Sequence, residues 1–229
     1  MLSTKQHILL VNGNSSQSVT DRLFGLAAAA APELEFRPCT PQGGPAYVST
    51  PADVVLASEK VVETIALAAG DDEPDGCIIA CFGEPGLLEA RRRFHFPIVG
   101  MAEASMLTAM QLGGNFAMVT LGEHWPAMLH DLVKVYGVQD RCIGIDLIEG
   151  TPFDLMANPQ RAAESVSAAA KKCGSQIVII GGAALTGLAS AIGPLPGIEL
   201  IDCLQASISQ IIALTAYRRM AAMARSLSK

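Results

Sequence analysis

Cys81 and Gly182 hold matching places in a chain that repeats itself, and the difference between them frames the chemistry. Cys81 ends the apolar run Ile78-Ile79-Ala80 and opens into the small-residue turn Phe82-Gly83-Glu84-Pro85-Gly86. Near the end of the chain, Val178-Ile179-Ile180 meets Gly181-Gly182-Ala183-Ala184. Each copy continues through a helical segment and a second apolar run to a closing Ala-Ser, so segments 77–105 and 176–207 share one order. A pseudo-two-fold relating the halves would set positions 81 and 182 face to face across one cleft. A thiol there suits proton transfer, because its pKa, about 8.5 when free, falls near helix N-termini. Taken alone, a cysteine ending an apolar strand reads as a small buried hydrophobe. The repeat and the glycine-containing turn favour Cys81 as a proton carrier.

The elements that must position these residues follow from the hydrophobic pattern. Apolar strands are expected at 7–11, 34–37, 77–81, 97–101, 116–120, 141–145, 177–180 and 199–201. Helices are expected at 21–31, 52–69, 87–93, 104–112, 126–136, 159–173, 185–191 and 207–225, the last packing back on the first half. Strands alternating with helices at this spacing argue for parallel βαβ units. The fold class is therefore α/β, as two pseudo-symmetric lobes, each a mostly parallel sheet flanked by helices. Lobe 1 spans 1–102, completed by 204–229, and lobe 2 spans 103–203. Ligands in such sheets sit beyond the carboxyl ends of the strands, here Asn12, Cys81, Glu103, Thr120, Gly182 and Cys203.

Composition narrows the partners. The 229 residues suit one large domain or two small ones. Half are hydrophobic and mean hydropathy is +0.36, which points to a subunit interface and a homo-oligomer. A net charge of −6 and no Lys/Arg stripe exclude nucleic acid. The one basic run, Arg91-Arg92-Arg93, complements the dipole at a helix end. No apolar run reaches the length of a membrane span; the tail 208–224 is interrupted by Gln210, Arg218 and Arg219. The N-terminus enters a strand without the regions of a signal peptide, so a cytoplasmic protein is expected. Six scattered cysteines, without CxxC pairs, argue against a disulfide framework. Cys77 and Cys81, four apart in an expected strand, would share a face, but no histidine cluster joins them and no metal site is expected.

With the strand ends in view, the chain resembles the aspartate/glutamate/hydantoin racemase superfamily, most closely its hydantoin and allantoin racemase branch. The resemblance rests on VNGNSS, ACFGEPGLLEAR, PIVGMAEASM, FAMVTL, YGVQDRC, and IIGGAALTGLA followed by IELID, in order over nearly the whole chain. It implies two similar lobes with a site between them, no cofactor, and a small carboxylate or hydantoin-like substrate. One cysteine takes a proton from the carbon beside a carboxylate or ring carbonyl, and another delivers one to the opposite face. Cys81 matches the first cysteine. The second belongs in a Gly-Cys-Ala motif that here reads Gly181-Gly182-Ala183, without the thiol. Arylmalonate decarboxylases of the same superfamily protonate one face with a single thiol, in the second half rather than the first. The opposite stereochemistry would be expected here. A cleft that binds small carboxylates without turning them over is the non-enzymatic rival.

The remaining site residues are read with that resemblance in mind. Asn12, Asn14, Ser15 and Ser16, with Thr120 from the other half, are candidates to hold a carboxylate or ureido group. Backbone N–H groups of Phe82, Gly83, Ala183 and Ala184 would cradle the developing anion. Glu103 would orient a site group or cap the helix expected from Ala104. Glu84 reads as a turn cap. Cys203 and His124 are possible replacements for the second thiol, against a core thiol and a solvated loop histidine. Gly182 could also widen the pocket for a bulkier substituent.

Overall fold

The computed structural model describes residues 5–70 and 72–227. Two four-stranded sheets, each all-parallel, carry the fold. In the first, β1 (Gln6–Asn12), β2 (Leu34–Cys39), β3 (Gly76–Ala80) and β4 (Ile98–Gly100) lie in the order β2-β1-β3-β4. In the second, β5 (Phe116–Thr120), β6 (Cys142–Leu147), β7 (Ile177–Ile180) and β8 (Glu199–Asp202) repeat that order as β6-β5-β7-β8. The strand order reverses between β1 and β3, and again between β5 and β7. These are the switch points where such sheets open a crevice.

Register aligns the two crevices residue for residue. Asn12 pairs with Ala80, so Cys81 is the next residue out. Val119 pairs with Ile180, and Thr120 and Gly181 follow, with Gly182 next. The correspondence of Cys81 with Gly182 is thus built into the sheets.

Helices cover both faces: α1 (Gln17–Ala30), α2 (Pro51–Ala69), α3 (Leu87–Arg93), α4 (Met101–Gln111), α5 (Trp125–Val135), α6 (Pro152–Ala157), α7 (Pro159–Lys172), α8 (Leu188–Ile192) and α9 (Cys203–Leu227). With both faces covered, strands read as unbroken apolar runs. Ile78 and Ala80 turn into a core shared with Phe116, Met118, Ile177 and Ile179 of the other sheet. Cys77 and Ile79 turn the other way, onto Val61 and Ile65 of α2. Cys77 and Cys81 do not share a face: β3 stops at Ala80, and the turn that bonds Cys81 N–H to the Ile79 carbonyl (2.9 Å) swings Cys81 into the shared core. Helix α9 lies against α1, α4, β3, β4 and β8, spanning both halves.

Helix α1 starts at Gln17, four residues before the expected 21, and two further helix starts differ because their caps come from elsewhere. Helix α4 starts at Met101, since the Glu84 carboxylate accepts from Glu103 N–H (2.7 Å). Helix α9 starts at Cys203, where Asp202 accepts from Leu204 (3.0 Å) and Gln205 (3.2 Å). Helix α6 is an additional element, fixed by a Thr151–Asp154 capping box with Pro152 at its first turn. The segment expected as a helix at 185–191 splits into a 3₁₀ turn, Ala183–Leu185, and α8. No helix among the described residues is long and apolar enough to cross a membrane.

Candidate active site

Beyond the ends of β1, β3, β5 and β7 lies a cavity of about 40 Å³. Its lining comes from both halves: Cys81 and Phe82 after β3, Thr120 and Leu121 at the end of β5, and Gly182, Ala183 and Ala184 after β7. Asn14, Tyr47, Val48 and Trp125 complete it. No charged side chain is in that set, and the thiol of Cys81 is its one titrating acid apart from the Tyr47 phenol.

Absent side chains bring the walls together. A β-carbon at Gly13 would lie 2.7 Å from Cys81 Sγ, so the first turn must carry glycine for the thiol to sit where it does. Across the cleft, a β-carbon at Gly181 would lie 2.1 Å from the ring of Phe82. Gly182 differs: its β-carbon would have 3.8 Å to the nearest atoms, Leu121 Cδ2 and Thr120 Oγ1, but its φ is +124°. The wall opposite Cys81 has room for a side chain and a backbone that resists one.

Burial pushes the Cys81 thiol up to about 11. The N–H of Gly83 draws it back, the Glu84 carboxylate pushes it further up, and the N–H of Glu84 draws it back again. The resting thiol is therefore protonated near neutrality, the reverse of the lowering expected from the helix that follows it, because burial outweighs the turn's N–H groups. Burial also raises the Tyr47 phenol, an effect the neighbouring Trp125 indole opposes and a Cys81 thiolate adds to. On the far wall, Arg22 of α1 reaches from the first half to the carbonyls of Ala183 (2.7 Å) and Thr186 (2.6 Å). That clamp fixes the loop whose backbone lines the cavity.

The Asp/Glu/hydantoin racemase family model matches residues 8–211. The chain belongs to that family. It is 28% identical to a hydantoin racemase of Paenarthrobacter aurescens over 97% of this chain and 96% of that one. An allantoin racemase structure from Klebsiella pneumoniae superimposes with a TM-score of 0.85 at 28% identity, covering 93% of this chain and 89% of the other. Unliganded arylmalonate decarboxylase superimposes with a TM-score of 0.59 at 14% identity, over 92% and 93% of the two chains, a likeness of fold alone.

Within this racemase-family fold, the candidate residues divide. Cys81, Phe82, Thr120, Gly182, Ala183, Ala184 and Asn14 meet at the cavity. Gly83 contributes its N–H toward Cys81, while its α-carbon packs against the Trp125 ring. Asn12 does not line the cavity. Its Nδ2 lies within hydrogen-bond distance of Asn14 Oδ1 (2.9 Å), the Ser16 carbonyl (3.1 Å) and Thr20 Oγ1 (3.1 Å), so it braces the first turn. Ser15 is turned onto the Pro45 carbonyl and Ser16 onto Ser18. Glu103 points away to a bidentate pair with Arg91, because Glu84 has taken the helix-capping place.

Neither stand-in for the second thiol reaches the cavity. The His124 side chain is half exposed beside Glu123 (3.5 Å). Cys203 is fully buried at the start of α9, 3.9 Å from Thr186 Oγ1, and burial together with Asp202 pushes it up to about 12. Among the described residues no cluster of three His, Cys, Asp or Glu side chains could hold a metal ion.

Sequence reasoning missed Tyr47, Val48, Leu121 and Trp125. Tyr47 and Val48 come from the Pro/Gly-rich loop between β2 and α2, which has no periodicity to read. Trp125 carried a signal, being the sole tryptophan and standing five residues beyond Thr120.

Proposed function

We propose that the protein moves a proton at the carbon beside a ring carbonyl of a neutral, hydantoin-like cyclic ureide, using Cys81 as its single thiol and no cofactor. The uncharged lining around that one thiol is the observation that carries the reading. A free amino acid or a malonate would bring one or two carboxylates into a cavity without a cationic side chain, at the desolvation cost that buried charge carries. A neutral ring brings charge only as the enolate forms, where N–H groups of the turn after Cys81 and the loop after Gly182 can meet it.

In the forward step Cys81, as thiolate, takes the α-proton and becomes the thiol, while the ring carbonyl becomes the enolate. Return of a proton from the same sulfur restores the ring. With no acid opposite at Gly182, exchange on one face should outrun inversion. The cavity of about 40 Å³ is the size of a water or two rather than a ring, so entry requires the Tyr47–Val48 loop or the halves to part. We also propose that the protein is a cytoplasmic homo-oligomer, a reading supported by its high apolar content.

Deuterium incorporation at the α-carbon in D₂O, followed by proton NMR with 5-substituted hydantoins, amino acids and arylmalonates, is the test. Exchange of hydantoins, lost in Cys81→Ser, is expected. Carbon dioxide release from arylmalonates would favour a decarboxylase instead. Thermal stabilisation by any of these compounds without turnover would leave a binding protein.

A further inference from the structure

Glu84 stands three residues beyond Cys81, 5% exposed, and its carboxylate ties together three parts of the molecule. One oxygen accepts from the N–H of Glu103 at the first turn of α4 (2.7 Å). The other accepts from the hydroxyl of Tyr136, which follows α5 in the second half. Gly100 makes the space: a β-carbon there would sit 2.2 Å from Glu84 Oε1. Among the described residues Glu84 is the only non-glycine with positive φ, 49°. Such a backbone persists only where the surroundings over-determine it. The Glu84 N–H donates to the Cys81 carbonyl (3.0 Å), closing the turn that carries the thiol.

We propose that Glu84 is a positioning residue for Cys81, latched across the cleft by Tyr136, and that its ionisation sets how readily the thiol gives up its proton. The inference rests on the reading of Cys81 as the proton carrier. The geometry supplies both halves of the effect. The brace on the carboxylate holds the turn at φ 49°, and the Glu84 N–H ties that turn to the Cys81 carbonyl (3.0 Å), fixing where the thiol sits. The same carboxylate, when charged, opposes a thiolate three residues away.

The titratable groups facing Glu84 are Tyr136, Glu103, Arg91 and Cys81. Arg91 is committed to a bidentate pair with Glu103, so Glu84 has no cation of its own. Burial first, and Glu103 next among the raising influences, push Glu84 up to about 7 against the hydrogen bonds from Tyr136 and Glu103 and the charge of Arg91. The latch therefore changes charge near neutral pH. Below that point the neutral carboxyl leaves the thiolate easier to form; above it the charge holds the thiol protonated.

The test reads the thiol itself. Methyl methanethiosulfonate, a compact thiol reagent that enters as the cleft parts, is reacted with the intact protein from pH 5 to 10, and labelling at Cys81 is resolved by fragment mass spectrometry. In the wild type the logarithm of the rate should bend near pH 7, the rate above the bend lying about three- to tenfold below the extrapolated lower limb. The bend should vanish in Glu84→Gln, which keeps the brace and loses the charge. In Tyr136→Phe it should move to higher pH, since a donor to the carboxylate is gone. Identical profiles in all three proteins, or no labelling of Cys81 at any pH, would overturn the proposal. Altered profiles without hydantoin exchange would spare it and remove the proton-carrier reading. Exchange with unaltered profiles would do the reverse.

Discussion

The ring of Phe82 lies flush on the backbone of Gly181: a β-carbon at 181 would be 2.1 Å from Cε1 and 2.4 Å from Cζ. Phe82 follows Cys81 in the first half, and Gly181 precedes Gly182 in the second. The closed cleft depends on this contact, since any side chain at 181 would push the two strand-end loops apart.

Gly181→Ala is therefore expected to cost about 1–3 kcal/mol, the range for forcing atoms into a packed interior. Urea denaturation checks the size. Phe82→Leu in the same chain should return part of the loss, and a double-mutant cycle with no coupling would show that the contact is not what the alanine disturbs.

Gly182→Cys and Gly182→Ala should be destabilised alike, by about 1–3 kcal/mol. The side-chain site is open, with neighbours no nearer than 3.8 Å, so the cost lies in φ +124° and not in the atoms added. Denaturation midpoints of the two variants check it; a marked difference between them would place the cost in packing instead. Restoring a thiol by this one change is for the same reason expected to yield little inversion.

Glu84 should make stability fall as pH rises. Its folded pKa, about 7, lies above the ordinary 4.5, so between those values the native state binds more protons than the unfolded chain. The contribution is fully present below about 4.5 and is lost as pH climbs through about 7, an effect of about 3 kcal/mol. Glu84→Gln should flatten the curve of unfolding free energy against pH across that window, as measured by denaturant titration at each pH.

Gly13→Ala should leave the fold intact yet displace the thiol, because the new carbon would lie 2.4 Å from Cys81 Cβ and 2.7 Å from Sγ. A loss of about 10²-fold in α-proton exchange is expected, the scale of a misplaced catalytic group, together with a destabilisation of about 1–3 kcal/mol because the Cys81 β-carbon has no free rotation to escape the clash. Activity close to wild type would show that Cys81 has slack in its seat.

What was legible in the chain followed from local pattern. Unbroken runs such as Ile78–Ala80 and Val178–Ile180 mark doubly covered strands, and the two small-residue turns behind them align Cys81 with Gly182 in the sequence itself. What was not legible depends on partners far along the sequence. Glu103 looked like its own helix cap, but Glu84, nineteen residues earlier, takes its N–H and frees the Glu103 side chain for Arg91. Asn12 looked like a ligand group, yet the bonds that occupy it close a turn in which every partner is also polar. Tyr47 reaches the cavity from a loop whose path no periodicity encodes.

The most direct measurement uses one enantiomer of a 5-substituted hydantoin in D₂O, following deuterium at the α-carbon by NMR and optical rotation in the same sample, each corrected for the uncatalysed rate. The expected result is exchange that outpaces the loss of rotation, with both falling about 10²–10⁴-fold in Cys81→Ala, the usual worth of a positioned acid–base group. Equal rates of exchange and inversion would contradict the single-thiol reading, and exchange undiminished in Cys81→Ala would contradict the role of Cys81 altogether.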